Sequence, residues 1–214
     1  MKLMIKILIM LLFPISLFAN DEIKNPDVFK VDAAKSSVNW RGSKIGGEHS
    51  GVVSLKFAQL KFKEGLLASG EFVIDMTSLK NTDIEELEDR AKLEEHLKSK
   101  DFFETAENPK STFDFESVKD MGNGQYAVTG KMTIKKKTNQ ETIVTKINMD
   151  GDKLVAVADL KIDRTKYGIM YKAGKTEEDE WFFTKWFKGG KDKLIDNTLE
   201  IRLNIVAEKE TPTE

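Results

Sequence analysis

Apolar and polar residues alternate with a period of two along most of this chain. The positions between the apolar ones are mostly charged or polar, as at Glu200, Arg202 and Asn204. This alternation predicts half-buried antiparallel strands, each with one face toward a core. The apolar residues predicted to share a face within a strand are Leu55 and Phe57; Phe72, Ile74 and Met76; Phe113 and Phe115; Tyr126, Val128, Met132 and Ile134; Leu154, Ala156, Ala158, Leu160 and Ile162; and Leu199, Ile201, Leu203 and Ile205.

Turn-forming residues separate these predicted strands. Glycine stands beside charged or amide residues at positions 63–65, 121–124 and 150–152, which is typical of hairpins. About eight such strands fit the length, so the pattern predicts an all-β fold, an antiparallel β-barrel of about eight strands. A barrel of this size is wide enough to hold one small ligand. The small side chains of Ala156 and Ala158 on an apolar face indicate that interior space is left open.

One segment departs from the period of two and predicts a short helical insertion near residues 82–99. Thr82 and Glu85 have the spacing of a capping box at a helix N-terminus. Apolar residues then recur at helical spacing, at Leu87 and Ala91 and again at Leu93 and Leu97. We expect one helix, or two short ones, between strands.

The N-terminus has the pattern of a secretory leader. Lys2 and Lys6 precede an apolar run over residues 7–18, and Ala19 follows at a plausible cleavage point. The run is too short to span a bilayer. We therefore expect a signal peptide over residues 1–19, export to the periplasm, and a polar, disordered lead-in over residues 20–28.

Composition excludes several classes of function. The 214 residues carry a formal net charge of −2, which becomes −4 once the leader is removed, so a nucleic-acid partner is not expected. The chain has no cysteine, so neither disulfides nor a lipid anchor on cysteine are expected. A three-lysine run at residues 135–137 follows a predicted strand; it is typical of a solvated hairpin, with transient contact to a membrane surface as the alternative.

The sequence contains no recognisable catalytic, metal-binding or phosphate-binding motif. His49 and His96 are the only histidines, and neither is accompanied by a nucleophile or by further metal ligands. We therefore predict no cofactor, no metal and no catalytic residue. An aromatic cluster at residues 181–187, with Trp181 and Trp186, is expected either to cover one end of the barrel or to form a lid for an apolar ligand.

Several short sequence motifs follow one another in a characteristic order along the chain. The longest is KLEEHLKSKDFFETAENPKSTFDF, residues 92–115. Further pieces are GSKIGGEHSG at 42–51, IDMTSLKNTDI at 74–84, YAVTGKMTIKKKT at 126–138, KIDRTKYGIMY at 161–171 and LIDNTLEIRLNIVA at 194–207. In this order the pieces resemble the YceI-like family of secreted bacterial proteins. The resemblance covers roughly residues 29–207; the charged segment 172–193 departs from it.

The resemblance implies a lipocalin-like barrel that binds polyisoprenoid lipids, and it places the domain at residues 29–208 with a short tail at 209–214. The ligand is expected to be a quinone or a polyprenyl lipid; the residue pattern by itself indicates only an apolar one. Predicted ligand-binding residues are those on the shared apolar faces, with Arg164 as a contact for a headgroup: Phe72, Ile74, Phe113, Phe115, Val128, Met132, Ala156, Ala158, Arg164, Ile201 and Leu203.

Two alternatives stay open at this point. One is a hydrolase or isomerase acting on such a lipid, for which Asp163, Glu48 and His49 are the only nominees as an acid–base pair. The other is a barrel filled by its own side chains that serves as an envelope stress or interaction module.

Overall fold

The computed structural model describes residues 25–44, 46–173 and 194–211. Within them the chain forms β1 (Asp27–Val31), β2 (Ser37–Lys44), β3 (Gly47–Lys63), β4 (Leu66–Asn81), α1 (Leu87–Lys98), β5 (Lys110–Gly122), β6 (Gln125–Ile134), β7 (Lys137–Asp150), β8 (Lys153–Asp163), a short 3-10 helix (Arg164–Tyr167) and β9 (Ile195–Lys209). No helix in this described part is long and apolar enough to cross a membrane.

The strands close into an antiparallel barrel, as the alternation predicted. β2 pairs with β9, the strands from β9 back to β4 pair in turn, and β4 pairs with β3, which returns to β2. These eight strands form the closed wall. The extra strand β1 continues the row of β2 between β3 and β9, with Phe29 opposite Leu60 where Val38 lies opposite Val53. Closure leaves the wall without a free edge.

One end of the barrel is plugged by tightly packed side chains. Phe29 of β1 and Phe62 of β3 meet edge to face with ring centroids 5.2 Å apart, and each is only 1% exposed. Leu154 and Ala207, which face each other across β8 and β9, are buried in the same cluster. Apolar burial of this kind is the main source of stability available to a barrel without disulfides.

The helical insertion is present but begins later than predicted. α1 starts at Leu87, and the residue before it, Glu86, makes no side-chain capping hydrogen bond. The capping-box prediction is therefore wrong: the Thr82 amide donates to the Ser50 carbonyl at 3.0 Å, which holds this residue on the edge of the barrel. Tertiary hydrogen bonding has overridden a local helix signal.

The predicted shared face of Leu55 and Phe57 is also wrong. The pairing of β3 with β4 shifts register between these residues, so that Leu55 and Ala58 are buried while Phe57 is 38% exposed. A bulge inserts one residue and reverses the side-chain parity beyond it. The predicted leader and the Trp181–Phe187 cluster lie outside the described residues, and the domain boundaries stay predictions.

Candidate functional site: an apolar cavity inside the barrel

The barrel encloses a cavity of about 150 Å³ whose walls are almost entirely hydrocarbon. Its walls come from the inward faces of strands β2 to β9, because alternate residues of each strand point to the same side. Ten of the eleven residues predicted from the sequence line it: Phe72, Ile74, Phe113, Phe115, Val128, Met132, Ala156, Ala158, Ile201 and Leu203. That these residues contact a ligand stays a prediction.

Aromatic rings form one side of this cavity. Phe72 of β4 stacks on Phe115 of β5 with centroids 6.0 Å apart and planes 24° from parallel. Phe113 and Phe115 meet at 5.5 Å in a T-shaped contact. The three rings present a continuous rigid surface that buries area without adding polar groups.

The opposite side of the cavity includes two small residues, Ala156 and Ala158. Ala158 of β8 lies between Thr145 of β7 and Leu203 of β9, and all three line the void. Inward residues such as Leu203 and Phe72 remain partly exposed, as expected where a side chain faces a void rather than a filled core. The side chains of the barrel wall therefore leave part of the interior unfilled.

A second cavity of about 110 Å³ lies next to the first. The two share four wall residues, Trp40, Leu79, Phe103 and Leu199. The second cavity is also lined by Lys44 and Asp196, both exposed residues, so it reaches the protein surface. Its shared wall residues make it a candidate path from the apolar interior to solvent.

Helix α1 and the loop after it cover this second cavity. Leu93 and Leu97 of the helix face it together with Phe102 and Phe103 of the loop, yet no residue of the helix is fully buried. His96 packs edge-on against the rings of Phe102 and of Tyr171, at 5.0 and 4.7 Å. The loop is thus anchored in the core through Phe102, which is only 8% exposed, whereas the helix contributes no fully buried residue.

Arg164 lies in the wall of the second cavity rather than the first, and only 5% of it is exposed. Its Nε, Nη1 and Nη2 donate to the carbonyl oxygens of Asp196, Ile169 and Ile195 at 2.9, 2.7 and 3.0 Å. These bonds fasten the start of β9 to the turn after the 3-10 helix. Desolvation lowers the pKa of the guanidinium, and the charges of Asp163 and Asp196 act in the opposite direction.

His49 is a further titratable group in the wall of the second cavity. Its Nδ1 lies 3.0 Å from Oδ2 of Asp83, and the Ser50 amide donates to Oδ1 of the same carboxylate at 3.0 Å. Desolvation acts to raise the pKa of Asp83, but the hydrogen bonds from Ser50, His49 and Asn81 outweigh it and lower the pKa. The pair ties the segment before α1 to β3.

The carboxylates nominated for acid–base chemistry are occupied by structural contacts. Glu48 pairs with Arg41 at 3.3 Å on an exposed face. Asp163 accepts from the amide of Thr165 at 2.9 Å and from its hydroxyl at 2.6 Å, which caps the 3-10 helix. In the described ranges, no group of three or more His, Asp or Glu side chains is arranged to hold a metal ion.

Of the four residues that connect the two cavities, sequence reasoning assigned only Leu199 to an apolar face. Trp40 of β2 and Leu79 of β4 fell outside the predicted apolar faces, and Phe103 lies in a loop, so no periodicity assigned them to the interior. Four residues of the GSKIGGEHSG segment also line the second cavity: Gly42, Ser43, Lys44 and His49.

Comparison with known proteins gives a family match over most of the chain. A family model described as a YceI-like domain matches residues 29–207. A UPF0312 protein of Staphylococcus aureus is 41% identical over 83 residues, which is 36% of this chain and 46% of that protein. A UPF0312 protein of Staphylococcus epidermidis is 36% identical over 111 residues, 45% of this chain and 60% of that protein. The alignments thus span about half the length of these curated relatives.

Solved structures share the barrel. BcnA of Burkholderia cenocepacia superposes with a TM-score of 0.63 at 24% identity, covering 82% of this chain and 98% of BcnA. A polyisoprenoid binding domain of Saccharophagus degradans superposes with a TM-score of 0.58 at 14% identity, covering 85% of this chain and 98% of that domain. At these identities the likeness concerns the fold alone.

Proposed function

The chain belongs to the YceI-like family, and we propose that it is a binding protein that holds a long apolar isoprenoid lipid, of quinone or polyprenyl type, inside its barrel. The observation that carries this proposal is the apolar cavity, with no charged side chain among its described wall residues. The description of the Saccharophagus degradans neighbour as polyisoprenoid binding supports the choice of ligand class.

The volumes bear on how such a lipid is held. An apolar cavity of about 150 Å³ stays dry and admits a group the size of benzene. A long chain therefore needs both cavities, which together offer about 150 and 110 Å³ and share the wall of Trp40, Leu79, Phe103 and Leu199. We expect the chain to enter beneath α1 and to thread inward past these residues.

The hydrocarbon contacts supply the affinity in this proposal. Each buried methylene contributes about 0.8 kcal/mol, so ten of them give about 8 kcal/mol before ordering costs. That gross figure corresponds to about micromolar affinity. A ligand bound in this way needs no polar motif. Contact between Arg164 and a headgroup remains part of the proposal, since this buried cation lines the second cavity.

We further propose that the protein acts in the periplasm after export. The support is the leader pattern at residues 1–19, with Lys2 and Lys6 ahead of the apolar run. N-terminal sequencing of the protein from a periplasmic extract is expected to begin at about Asn20. Recovery of Met1 from a membrane fraction would contradict export by a cleaved leader.

Enzymatic turnover of the lipid is the second candidate, favoured only by the His49–Asp83 pair at the opening. We place it second because Glu48 and Asp163 are engaged elsewhere. The substitution His49→Gln, which introduces an uncharged side chain, is expected to leave lipid affinity within about twofold of the wild type, since no hydrocarbon contact is lost. A lipid that is chemically converted by the wild type and not by this variant would favour the enzyme.

Displacement of an apolar fluorescent probe tests the ligand class. The probe is expected to bind the purified protein, and geranylgeraniol is expected to displace it more effectively than a short-chain prenol such as isopentenol. The physical reason is the difference in buried methylene groups. A protein that takes up neither the probe nor the longer prenol is a filled barrel, which would support the interaction-module alternative.

A further inference from the structure

Exposed lysines gather at the end of the barrel where the second cavity lies. Three stretches of chain carry them: the loop after α1 (residues 99–104), the β6–β7 hairpin (134–141), and the 3-10 helix with the turn that follows it (163–172). None of these lysines forms an ion pair with another residue in the described ranges. We call them the lysine rim: Lys100, Lys136, Lys137, Lys166 and Lys172.

Side-chain contacts hold the three stretches against one another. Nζ of Lys135 donates to the carbonyl of Lys100 at 2.7 Å, which joins the hairpin to the loop after α1. Lys137 lies against Gly168, since a Cβ at that glycine would stand 2.8 Å from Nζ of the lysine. The lysine rim is therefore one surface, although its residues come from distant parts of the sequence.

The rim is positive in a chain that is negative overall. Its three stretches contain seven basic and four acidic residues, whereas the whole chain has a formal net charge of −2. Two of the acids have basic neighbours of their own: Asp101 lies 3.3 Å from Nε2 of His96, and Glu104 lies 3.9 Å from Nζ of Lys135. A local excess of positive charge attracts anionic surfaces even when the net charge does not.

The hairpin carries its lysines at a conformational cost. Ile134 pairs with Lys137, so the turn consists of Lys135 and Lys136, whose φ values are 49° and 60°. Two-residue turns of this kind favour Asn and Gly, because both positions are left-handed. The three hairpins at the plugged end have glycine at such a position: Gly65, Gly124 and Gly151. Turn formation alone does not explain two lysines here, which favours a role for their charge.

An exposed apolar side chain lies among these lysines. Met170 is 61% exposed and follows Ile169, a buried residue in the wall of the second cavity. The next residue, Tyr171, is half-buried against Phe102, with ring centroids 5.3 Å apart, and Nζ of Lys172 lies 5.1 Å from the centre of its ring. Lysines around an apolar side chain and an amphipathic ring are typical of surfaces that lie in a membrane interface.

We propose that the lysine rim and Met170 dock the protein on the surface of a bilayer that contains anionic phospholipids. The ammonium groups meet the headgroup phosphates, and Met170 enters the headgroup region. A bilayer fits better than a soluble polyanion, which would leave Met170 exposed. The first turn of α1 is acidic, with Glu88 and Asp89, so this part of the helix faces away from the membrane.

This docking surface goes beyond the proposed function, because it requires no lipid inside the barrel. It would place the second cavity next to the hydrocarbon layer in which an isoprenoid lipid dissolves. Ile169 and Phe102 line that cavity and are direct neighbours of the docking residues Met170 and Tyr171.

Co-sedimentation of the purified protein with lipid vesicles tests the docking surface. Vesicles of phosphatidylcholine with phosphatidylglycerol are expected to bind the protein, and vesicles of phosphatidylcholine alone are not. Binding is expected to be lost in about 1 M sodium chloride, where the Debye length is about 3 Å. Lys136→Gln combined with Lys137→Gln is expected to weaken binding about 20- to 30-fold, because each lysine near an anionic surface contributes about fivefold.

Lys166→Gln combined with Lys172→Gln removes the same charge from another stretch and is expected to weaken binding by a similar factor. The matched control is Lys63→Gln combined with Lys119→Gln, two exposed lysines at the plugged end of the barrel. The control pair is expected to bind within about twofold of the wild type, since its charges lie farther than a Debye length from the docked membrane.

Met170→Ser tests the apolar part of the contact. It is expected to weaken vesicle binding about fourfold, the value of about one buried methylene group, at every salt concentration at which binding is measurable. None of the rim lysines lines either cavity, so the rim variants are expected to bind an apolar fluorescent probe as the wild type does.

The outcomes separate the docking surface from the proposed function. Equal binding to vesicles without phosphatidylglycerol, or a control pair that loses as much affinity as the rim pairs, would overturn the docking surface. Release by inorganic phosphate beyond that by sodium chloride of equal ionic strength would indicate a site for free phosphate and would also overturn it. Each of these results leaves probe binding inside the barrel, and with it the proposed function, unaffected.

Discussion

Replacing Ala158 by phenylalanine is the sharpest perturbation that this cavity offers. Ala158 points into the void from β8, between Thr145 and Leu203. A benzyl side chain at this position must enter the cavity, because Ala158 faces inward and β8 is held in that orientation by hydrogen bonds to both neighbouring strands. The variant therefore places a ring where the lipid is proposed to lie.

The cavity volume decides between two outcomes for stability. The void measures about 150 Å³. A void of that order accepts a benzene-sized group, so the ring fits and the free energy of unfolding is expected to change by less than about 1 kcal/mol. In a filled core the same substitution would cost about 1–3 kcal/mol through overpacking. The ring displaces about six carbons of ligand, worth about 5 kcal/mol gross, so we expect at least about tenfold weaker binding.

Urea unfolding and titration of an apolar fluorescent probe, run side by side on the wild type and the variant, measure both quantities. Val157→Phe is the matched control: it adds the same ring one residue away on the outer face, where Val157 is 41% exposed. The control is expected to bind the probe as the wild type does. Normal probe binding by Ala158→Phe, at any stability, would refute the assignment of Ala158 to the binding cavity.

Three further substitutions test how the barrel is held together. Gly51→Ala is expected to lower the free energy of unfolding by about 1–3 kcal/mol, measured by urea denaturation, because its Cβ would stand 1.9 Å from a backbone oxygen; Gly42→Ala, where space is open, is the control. Tyr167→Phe is expected to cost about 1.5–3 kcal/mol in the same assay, because the buried hydroxyl donates to a carboxylate at 2.9 Å; an unchanged urea midpoint would contradict that role. Hydrogen bonds from Lys161 and Arg41 lower the pKa of Glu200 from 4.5 to about 2, so its stabilising effect is present above about pH 4.5 and is lost as the pH falls toward 2. Glu200→Gln is therefore expected to show a smaller fall in the urea midpoint over that range than the wild type. An equal fall would show that the ion pairs of Glu200 with Lys161 and Arg41 contribute nothing to stability.

Strand periodicity was sufficient to predict the barrel and most of its interior. In β8 alternation from Leu154 to Ile162 is uninterrupted, and the structure buries every second residue there. The same rule failed in β3, where a bulge between Leu55 and Phe57 reversed the parity. Hydrophobic periodicity does not predict bulges, because a bulge depends on how the partner strand pairs.

The connections at the open end could not be predicted from periodicity. Phe103 reaches the cavity from the loop after α1. Its amide donates to the carbonyl of Leu97, in the last turn of α1, at 3.1 Å. Ser111 also lines the cavity, although a serine at the start of a strand usually faces water, so periodicity did not assign it to the interior.

Native mass spectrometry of the protein, purified from cell envelopes without detergent, tests the central claim most directly. We expect a species heavier than the polypeptide by the mass of one lipid, released by organic solvent and identified as an isoprenoid by fragmentation. Ala158→Phe purified in the same way is expected to lack this species, because its ring occupies the cavity. A wild-type protein that shows only the polypeptide mass, both as purified and after incubation with an isoprenoid lipid, would contradict the lipid-binding account.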